Sequence, residues 1–123
     1  VPYCIENNKS ILAYSPLERG LLTGKITSDY KFQEGDHRAG HPHFQPDFIK
    51  KTNELLDKIK PIADEHNATL GQLVLRWTIE RPGITIALAG ARNAEQAVQN
   101  AKAMDINLSK EEIKTIDDLV NAF

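Results

Sequence analysis

The order of the apolar segments constrains the fold of this chain more than any other feature. Two short apolar runs, residues 11–14 and 84–88, have the length and composition of β-strands and end at turn-forming residues. Two helical patterns lie between them, and two more follow the second run. This β-α-β-α alternation is typical of α/β proteins with a parallel sheet. We therefore predict two parallel strands, the second buried on both faces.

The segment between the two runs predicts a long loop and then a helix. Residues 27–46 are polar and rich in glycine and proline, which is typical of a lid, a binding loop or a disordered segment. From about Asp47 the apolar residues recur at 3.6-residue spacing and predict an amphipathic helix. Pro61 falls inside this helix and removes a backbone donor, so we expect a kink or a break there.

Three N-cap signals predict where the later helices begin: Thr69, and capping boxes formed by Asn93 with Gln96 and by Ser109 with Glu112. The first of these helices should end at the Arg-Pro-Gly sequence of residues 81–83. The two boxes predict helices over residues 94–103 and 110–121. Residues 2–5 resemble the last turns of a further helix whose beginning is absent.

Two strands are too few for a stable sheet. Either neighbouring strands lie outside this sequence, or the helices pack in a substitute arrangement. The only methionine is Met104, so the chain as given has no initiator and we expect it to be processed or cut from something longer. We therefore interpret residues 1–123 as a single partial domain, a piece of a larger barrel.

Composition excludes several classes of function. Fifteen Lys and Arg against seventeen Asp and Glu give a net charge of -2, which predicts binding to neither nucleic acid nor an anionic membrane. Apolar runs are only a few residues long, so nothing predicts a membrane span or a signal peptide. The single cysteine, Cys4, cannot form an internal disulfide, which favours a reducing, cytoplasmic compartment.

The loop after the first strand has the sequence Gly-Leu-Leu-Thr-Gly-Lys, from Gly20 to Lys25. It differs from the phosphate-binding loop of nucleoside triphosphatases, which needs four residues between its glycines and Ser or Thr after its lysine. Here three residues separate the glycines, and Ile26 follows the lysine. One interpretation is a glycine-rich turn with a solvated lysine. The other is an anion site, because α/β proteins bind anionic ligands beyond the carboxyl ends of parallel strands.

The loop after the second strand also offers an anion site. Gly90 and Arg92 come just before the helix that Asn93 begins, and a helix N-terminus beside an arginine favours a phosphate. Gln96 and Asn100, four residues apart, lie on one face of that helix and could contact a purine or a ribose. The alternative is an ordinary capped helix with an exposed arginine.

Histidines at positions 37, 41 and 43 lie in the polar loop, with a spacing that could in principle hold zinc. Glycine and proline separate them and no cysteine joins them, so we interpret them as part of a solvated loop and predict no metal site. Phe44 and Trp77 are interpreted as packing residues.

Two long motifs in this chain resemble the C-terminal part of an aldo-keto reductase. They are residues 13–25, AYSPLERGLLTGK, and residues 89–96, AGARNAEQ. Shorter matches in the same order are residues 35–38, 61–63 and 77–83. The resemblance covers nearly the whole chain and is closest to bacterial members with short loops.

This resemblance implies the α/β class and the C-terminal portion of a (β/α)8 TIM barrel that reduces small aldehydes and ketones with NADPH. It implies that Tyr14 stacks on the nicotinamide and that Arg92 holds the 2′-phosphate. It further implies a set of positions that line the pyrophosphate and surround the adenosine: Ser15, Leu17, Gly20, Lys25, Gly90, Gln96, Gln99 and Asn100. At position 99 a glutamate is common in the family.

The family's catalytic Asp, Tyr, Lys and His are carried by earlier strands, and none of those motifs occurs in this sequence. The resemblance thus implies half of a cofactor site without the proton-transfer groups, an isolated chain without activity, and a partner in the N-terminal half of the barrel or in a second copy. Two alternatives stay open. One is a non-catalytic relative that binds cofactor and serves in assembly, and the upstream gene sequence would distinguish it. The other is an independent helix-rich domain without a ligand.

Overall fold

Strands and helices alternate in the predicted order in the computed structural model, which describes all residues from 1 to 123. The helices and strands are α1 (Pro2–Glu6), β1 (Leu12–Tyr14), α2 (Pro46–Glu65), α3 (Leu70–Glu80), β2 (Ile86–Leu88), α4 (Ala94–Ala101) and α5 (Lys110–Asn121). Short 3-10 segments occupy Glu18–Thr23, Pro42–Phe44 and Lys102–Asp105. None of the helices combines the length and the apolar character that crossing a membrane requires.

The two strands pair in parallel, as the α/β alternation predicts. Leu12 lies opposite Ile86, and Tyr14 lies opposite Leu88. Because the strands run in the same direction, both carboxyl ends lie at one edge of the sheet. The segments that follow β1 and β2 therefore lie side by side although they are more than seventy residues apart in sequence.

One face of this sheet is open, so the prediction that the second strand is buried on both faces is wrong. Leu12 and Ile86 are 51% and 47% exposed, and Leu88 is also exposed. Side chains alternate along a strand, so these residues share one face, while Ala87 is half-buried on the other. A two-stranded sheet covered by helices on one side leaves the apolar residues of the opposite face in solvent.

The core lies between α2, α3 and α5, where the apolar stripes of the three helices meet. Its buried members are Leu56, Ile59, Ala63, Leu73, Val74 and Ile116. Trp77 packs against this cluster, as predicted, and its Nε1 donates to Asp117 Oδ1 at 2.8 Å. The buried members of this core come from the three helices, and none of them belongs to the short sheet.

A second apolar cluster attaches the long loop to this layer. Phe44, only 2% exposed, packs with Leu21, Ile26 and Ile49, which confirms its predicted packing role. Phe32 adds an edge-to-face contact with Phe44, with ring centroids 5.8 Å apart. The predicted loop is therefore present over residues 27–45, interrupted by the 3-10 segment Pro42–Phe44, and its aromatic residues fix it against the helices.

The helix caps agree with the sequence except at α4. Thr69 and Ser109 each form a complete capping box. Asn93 caps α4, but the Gln96 side chain accepts from the N–H of Arg92 instead of returning to Asn93. The α-helix also ends at Ala101, because the chain tightens into a 3-10 segment before residue 103.

Pro61 does not break α2, which continues through it from Pro46 to Glu65. The missing N–H leaves the carbonyl of Asp57 without its helical partner. Both residues are exposed, so water can hydrogen-bond to that carbonyl. Ile59 and Ala63, buried on either side of the proline, hold the two adjacent turns on the same core.

Candidate functional site

A wide groove runs along the sheet edge where β1 and β2 end. Its volume is about 1570 Å³, and we call it the carboxyl-edge groove. The loop after β1, the loop after β2 and one face of α4 line it. The structure brings all ten sequence-predicted positions to this one groove: Tyr14, Ser15, Leu17, Gly20, Lys25, Gly90, Arg92, Gln96, Gln99 and Asn100.

The loop after β1 turns sharply through left-handed backbone conformations. Ser15, Glu18 and Arg19 have φ values of 51°, 42° and 52°, which are uncommon for residues with a side chain. Each such residue costs on the order of 1–3 kcal/mol and persists only where packing holds it. Here the buried side chain of Leu21 and a 2.7 Å hydrogen bond from Thr23 Oγ1 to the Gly20 carbonyl hold the turn.

Gly24 ends this turn and explains why a glycine is needed there. Its φ is +74°, and a Cβ at this position would lie 2.9 Å from Leu70 Cδ1. The close approach of Gly24 to Leu70 brings the loop into contact with the start of α3. Lys25, the next residue, then lines the groove.

The loop after β2 is held by amide side chains of α4. Asn100 Nδ2 donates to the Gly90 carbonyl at 3.1 Å, and Gln96 Oε1 accepts from the Arg92 N–H at 2.9 Å. Half of each amide is therefore used to shape the loop. Gln96 Nε2 and Asn100 Oδ1 have no partner in the chain and are available to a ligand.

Gln99 is positioned by Gln72, a nearly buried residue of α3. Gln72 Nε2 donates to the Gln99 carbonyl at 2.8 Å and to Gln99 Oε1 at 3.1 Å. The Gln99 amide oxygen therefore already accepts a hydrogen bond from Gln72. Its amide nitrogen remains free to donate, whereas a glutamate at this position could only accept.

Positive charge dominates the groove. Arg19, Lys25, Arg38 and Arg92 line it, against the single acid Glu95. Lys25 and Arg92 form no ion pair within the chain. Cations without an acidic partner attract an anionic ligand into a concave site.

The N-terminus of α4 adds backbone donors to these cations. The Asn93 side chain accepts from the Gln96 N–H, which leaves the N–H groups of Ala94 and Glu95 without a partner. Unpaired donors at a helix N-terminus favour phosphate groups. The groove therefore suits an extended ligand with more than one phosphate.

Arg19, Tyr30 and Arg38 are among the groove residues that the sequence did not identify as site residues. Arg38 pairs with Asp36, and this hydrogen-bonded pairing lowers the pKa of the Asp36 carboxyl from 3.8 to about 2. The Gly-Asp-His-Arg sequence of residues 35–38 could have pointed to this part of the site, because it belongs to the family resemblance. It does not show, however, that the loop folds back over the groove.

The histidines of the long loop separate into two groups. His37 is exposed and apart, whereas His41 and His43 lie together beside Glu18, a residue that the sequence did not connect with them. Glu18 Oε1 is 3.1 Å from His43 Nδ1. Of the three histidines, His41 and His43 are therefore grouped with Glu18, whereas His37 is exposed and apart from them.

Comparison with known proteins gives a consistent result. The family model for the aldo/keto reductase family matches residues 1–121. An aldo-keto reductase from Schizosaccharomyces pombe, whose name carries NADP(+), is 37% identical over 92% of this chain and 33% of its own length. An NADH-specific methylglyoxal reductase from Escherichia coli is 34% identical over 99% of this chain and 37% of its own length.

Among solved structures, a glycerol dehydrogenase from Gluconobacter oxydans is similar to this chain with a TM-score of 0.87 and 32% identity. The match covers 98% of this chain and 37% of that protein. The chain thus spans about a third of the length of the proteins it resembles, and matches their C-terminal part.

Proposed function

The chain belongs to the aldo/keto reductase family and is the C-terminal portion of its (β/α)8 barrel, and we propose that it forms the cofactor-binding part of an NADPH-dependent reductase. In this proposal the whole enzyme reduces small aldehydes and ketones to alcohols. The main observation that supports this proposal is that the loops after β1 and β2, distant in sequence, line one positively charged groove.

The charged groups of the groove support the choice of cofactor. Lys25 and the turn at Ser15, Leu17 and Gly20 would hold the pyrophosphate, since the turn supplies backbone donors and the lysine a positive charge. Arg92 would hold the 2′-phosphate, because a guanidinium matches a phosphate with two parallel hydrogen bonds. One named relative uses NADP(+) and another is NADH-specific, so NADPH is favoured here by Arg92 alone.

The remaining groove residues support binding of the two rings. Tyr14 is 82% exposed at the end of β1 and offers an open aromatic face for the nicotinamide. Gln96, Gln99 and Asn100 on α4 would surround the adenosine with their free amide groups. When bound, NADPH supplies the hydride; these residues bind and orient it.

No residue of this chain is assigned a proton-transfer role. We therefore propose that the catalytic groups belong to the N-terminal part of the barrel, which would cover the open face of β1 and β2. In its absence a second copy of the chain would cover the same face, because the apolar residues there gain from burial.

Titration of the chain with NADPH and NADH, followed by cofactor fluorescence, tests the proposal. The expected result is one site per chain that binds NADPH at least about tenfold more tightly than NADH, since a charge-assisted contact contributes roughly 1.5–3 kcal/mol. Competition by 2′-AMP but not by 5′-AMP should follow. Failure of the chain to bind either cofactor, or equal affinity for both, would contradict it.

A further inference from the structure

Three potential metal ligands from two separate loops meet beside the long loop. Glu18 belongs to the turn after β1, and His41 and His43 flank Pro42 just before α2. One side-chain ligand atom from each lies within 4.8 Å of the other two. We call these three residues the Glu-His-His cluster.

Distances in the cluster fit a small divalent ion. Ligands about 2.0–2.2 Å from a tetrahedral zinc ion lie roughly 3.3–3.6 Å from one another. Glu18 Oε1 and His43 Nδ1 are 3.1 Å apart, already close to this separation. A ligand atom of His41 lies within 4.8 Å of ligand atoms of both other residues, so His41 completes a set of three potential ligands.

Packing holds the cluster in place before any ion binds. The imidazole of His43 is stacked on Phe48, with ring centroids 4.6 Å apart and planes inclined by 13°. Pro42 fixes the backbone between the two histidines, and the His41 and His43 rings contact edge to face at 4.9 Å. Ligands that are already ordered lose little conformational entropy when they bind.

Two hydrogen bonds must be given up when an ion binds. The first joins His43 Nδ1 and Glu18 Oε1 at 3.1 Å, and the second involves His41. His41 Nδ1 accepts from the His43 backbone N–H at 3.2 Å, so in the neutral ring Nε2 carries the proton. An ion must either replace this N–H at Nδ1 or shift the proton from Nε2 to Nδ1.

We propose that the Glu-His-His cluster binds a divalent transition-metal ion of the zinc type, with three protein ligands and one position open to water. Two imidazoles and one carboxylate form a ligand set that zinc accepts. The His43 side chain is 46% exposed and the Glu18 side chain 28%, so the site opens to solvent and an ion can reach it directly. The proposal is independent of cofactor binding and uses no residue assigned to it.

Titration of the chain with CoCl2 and ZnCl2 tests this site. Cobalt should bind one ion per chain and produce the visible absorption of a low-coordinate nitrogen and oxygen site, and zinc should displace it. Glu18→Gln and His43→Gln should each weaken binding more than about tenfold, since loss of even an indirect partner costs about 10–100-fold. His37→Gln, a histidine of the same loop outside the cluster, is the matched control and should leave binding unchanged.

Nuclear magnetic resonance of the histidine side chains in the unsubstituted chain gives a second, independent measurement. Zinc should shift the ring signals of His41 and His43 and leave those of His37 and His66 in place. The absence of binding, weak binding that persists in Glu18→Gln, or equal shifts of all four histidines would each overturn the proposal.

Discussion

Arg38 and Asp36 form a bidentate ion pair, with Nη2 2.7 Å from Oδ2 and Nε 3.0 Å from Oδ1. The same guanidinium donates through Nη1 to the Arg19 carbonyl at 3.1 Å. The arginine therefore connects the long loop to the strained turn after β1. A paired guanidinium has a fixed orientation, so Asp36 determines where Arg38 lies along the groove.

This ion pair predicts a loss of stability in acid. The hydrogen bonds from Arg38 lower the pKa of folded Asp36 from 3.8 to about 2, so the carboxylate stabilises the fold above pH 3.8. That contribution should disappear as the pH falls from 3.8 to about 2. Urea unfolding of the chain and of Asp36→Asn should differ most above this interval and converge below it.

Asp57→Asn is the matched control for that experiment, because Asp57 is an exposed carboxylate outside every ion pair of the chain. It reports how much of the change follows from losing one negative charge. A difference between the chain and Asp36→Asn that stays constant down to pH 2 would show that the ion pair does not contribute through ionisation.

Arg92→Ala should weaken NADPH binding by about tenfold or more, because it removes a charge-assisted contact worth roughly 1.5–3 kcal/mol. NADH, which lacks the 2′-phosphate, should bind with nearly unchanged affinity. Fluorescence titration measures both. Lys102→Ala, an exposed cation after α4 and outside the groove, is the control. Equal losses for the two cofactors would mean that Arg92 only shapes the loop.

The chain alone should not oxidise NADPH with any aldehyde. The proposed role places hydride delivery at this groove but assigns no proton donor to the chain, and acid catalysis contributes about 10²–10⁴-fold. Absorbance of NADPH with a panel of small aldehydes gives the rate. Turnover above the rate without protein, from a sample that mass spectrometry shows to contain only this chain, would refute the prediction.

The open face of the sheet should drive association. Leu12 and Ile86 expose apolar area there, and each Å² buried contributes about 25 cal/mol. Light scattering at micromolar concentration should therefore give a mass above 13.8 kDa. Ile86→Lys should shift the sample towards the monomer, because a buried lysine charge opposes packing of two such faces.

Val98→Lys provides the comparison for that substitution. Val98 is also an exposed apolar residue, but it lies on α4 rather than on the sheet. The Val98→Lys substitution should leave the mass measured by light scattering unchanged. A clean monomer for the unsubstituted chain, with a cooperative thermal transition, would show that the open face needs no cover.

The helices were predictable because their signals are local. The N-cap at Thr69 and the capping box of Ser109 with Glu112 involve residues at most three positions apart, and the apolar stripe of α2 repeats every turn. Such patterns depend on near neighbours, which the sequence places directly. The continuity of α2 through Pro61 was not predictable, because it depends on a distant core that holds both neighbouring turns.

The sequence alone determined the element order, the parallel strand pair and the positions of the two loops at their carboxyl ends. Only the tertiary structure decided which side chains meet across long separations, such as Gln72 with Gln99 and Glu18 with His43. It also decided that Leu12 and Ile86 face solvent. Periodicity reports which face of an element is apolar, but the partner that covers that face depends on how the elements pack, and neighbouring residues carry no signal for it.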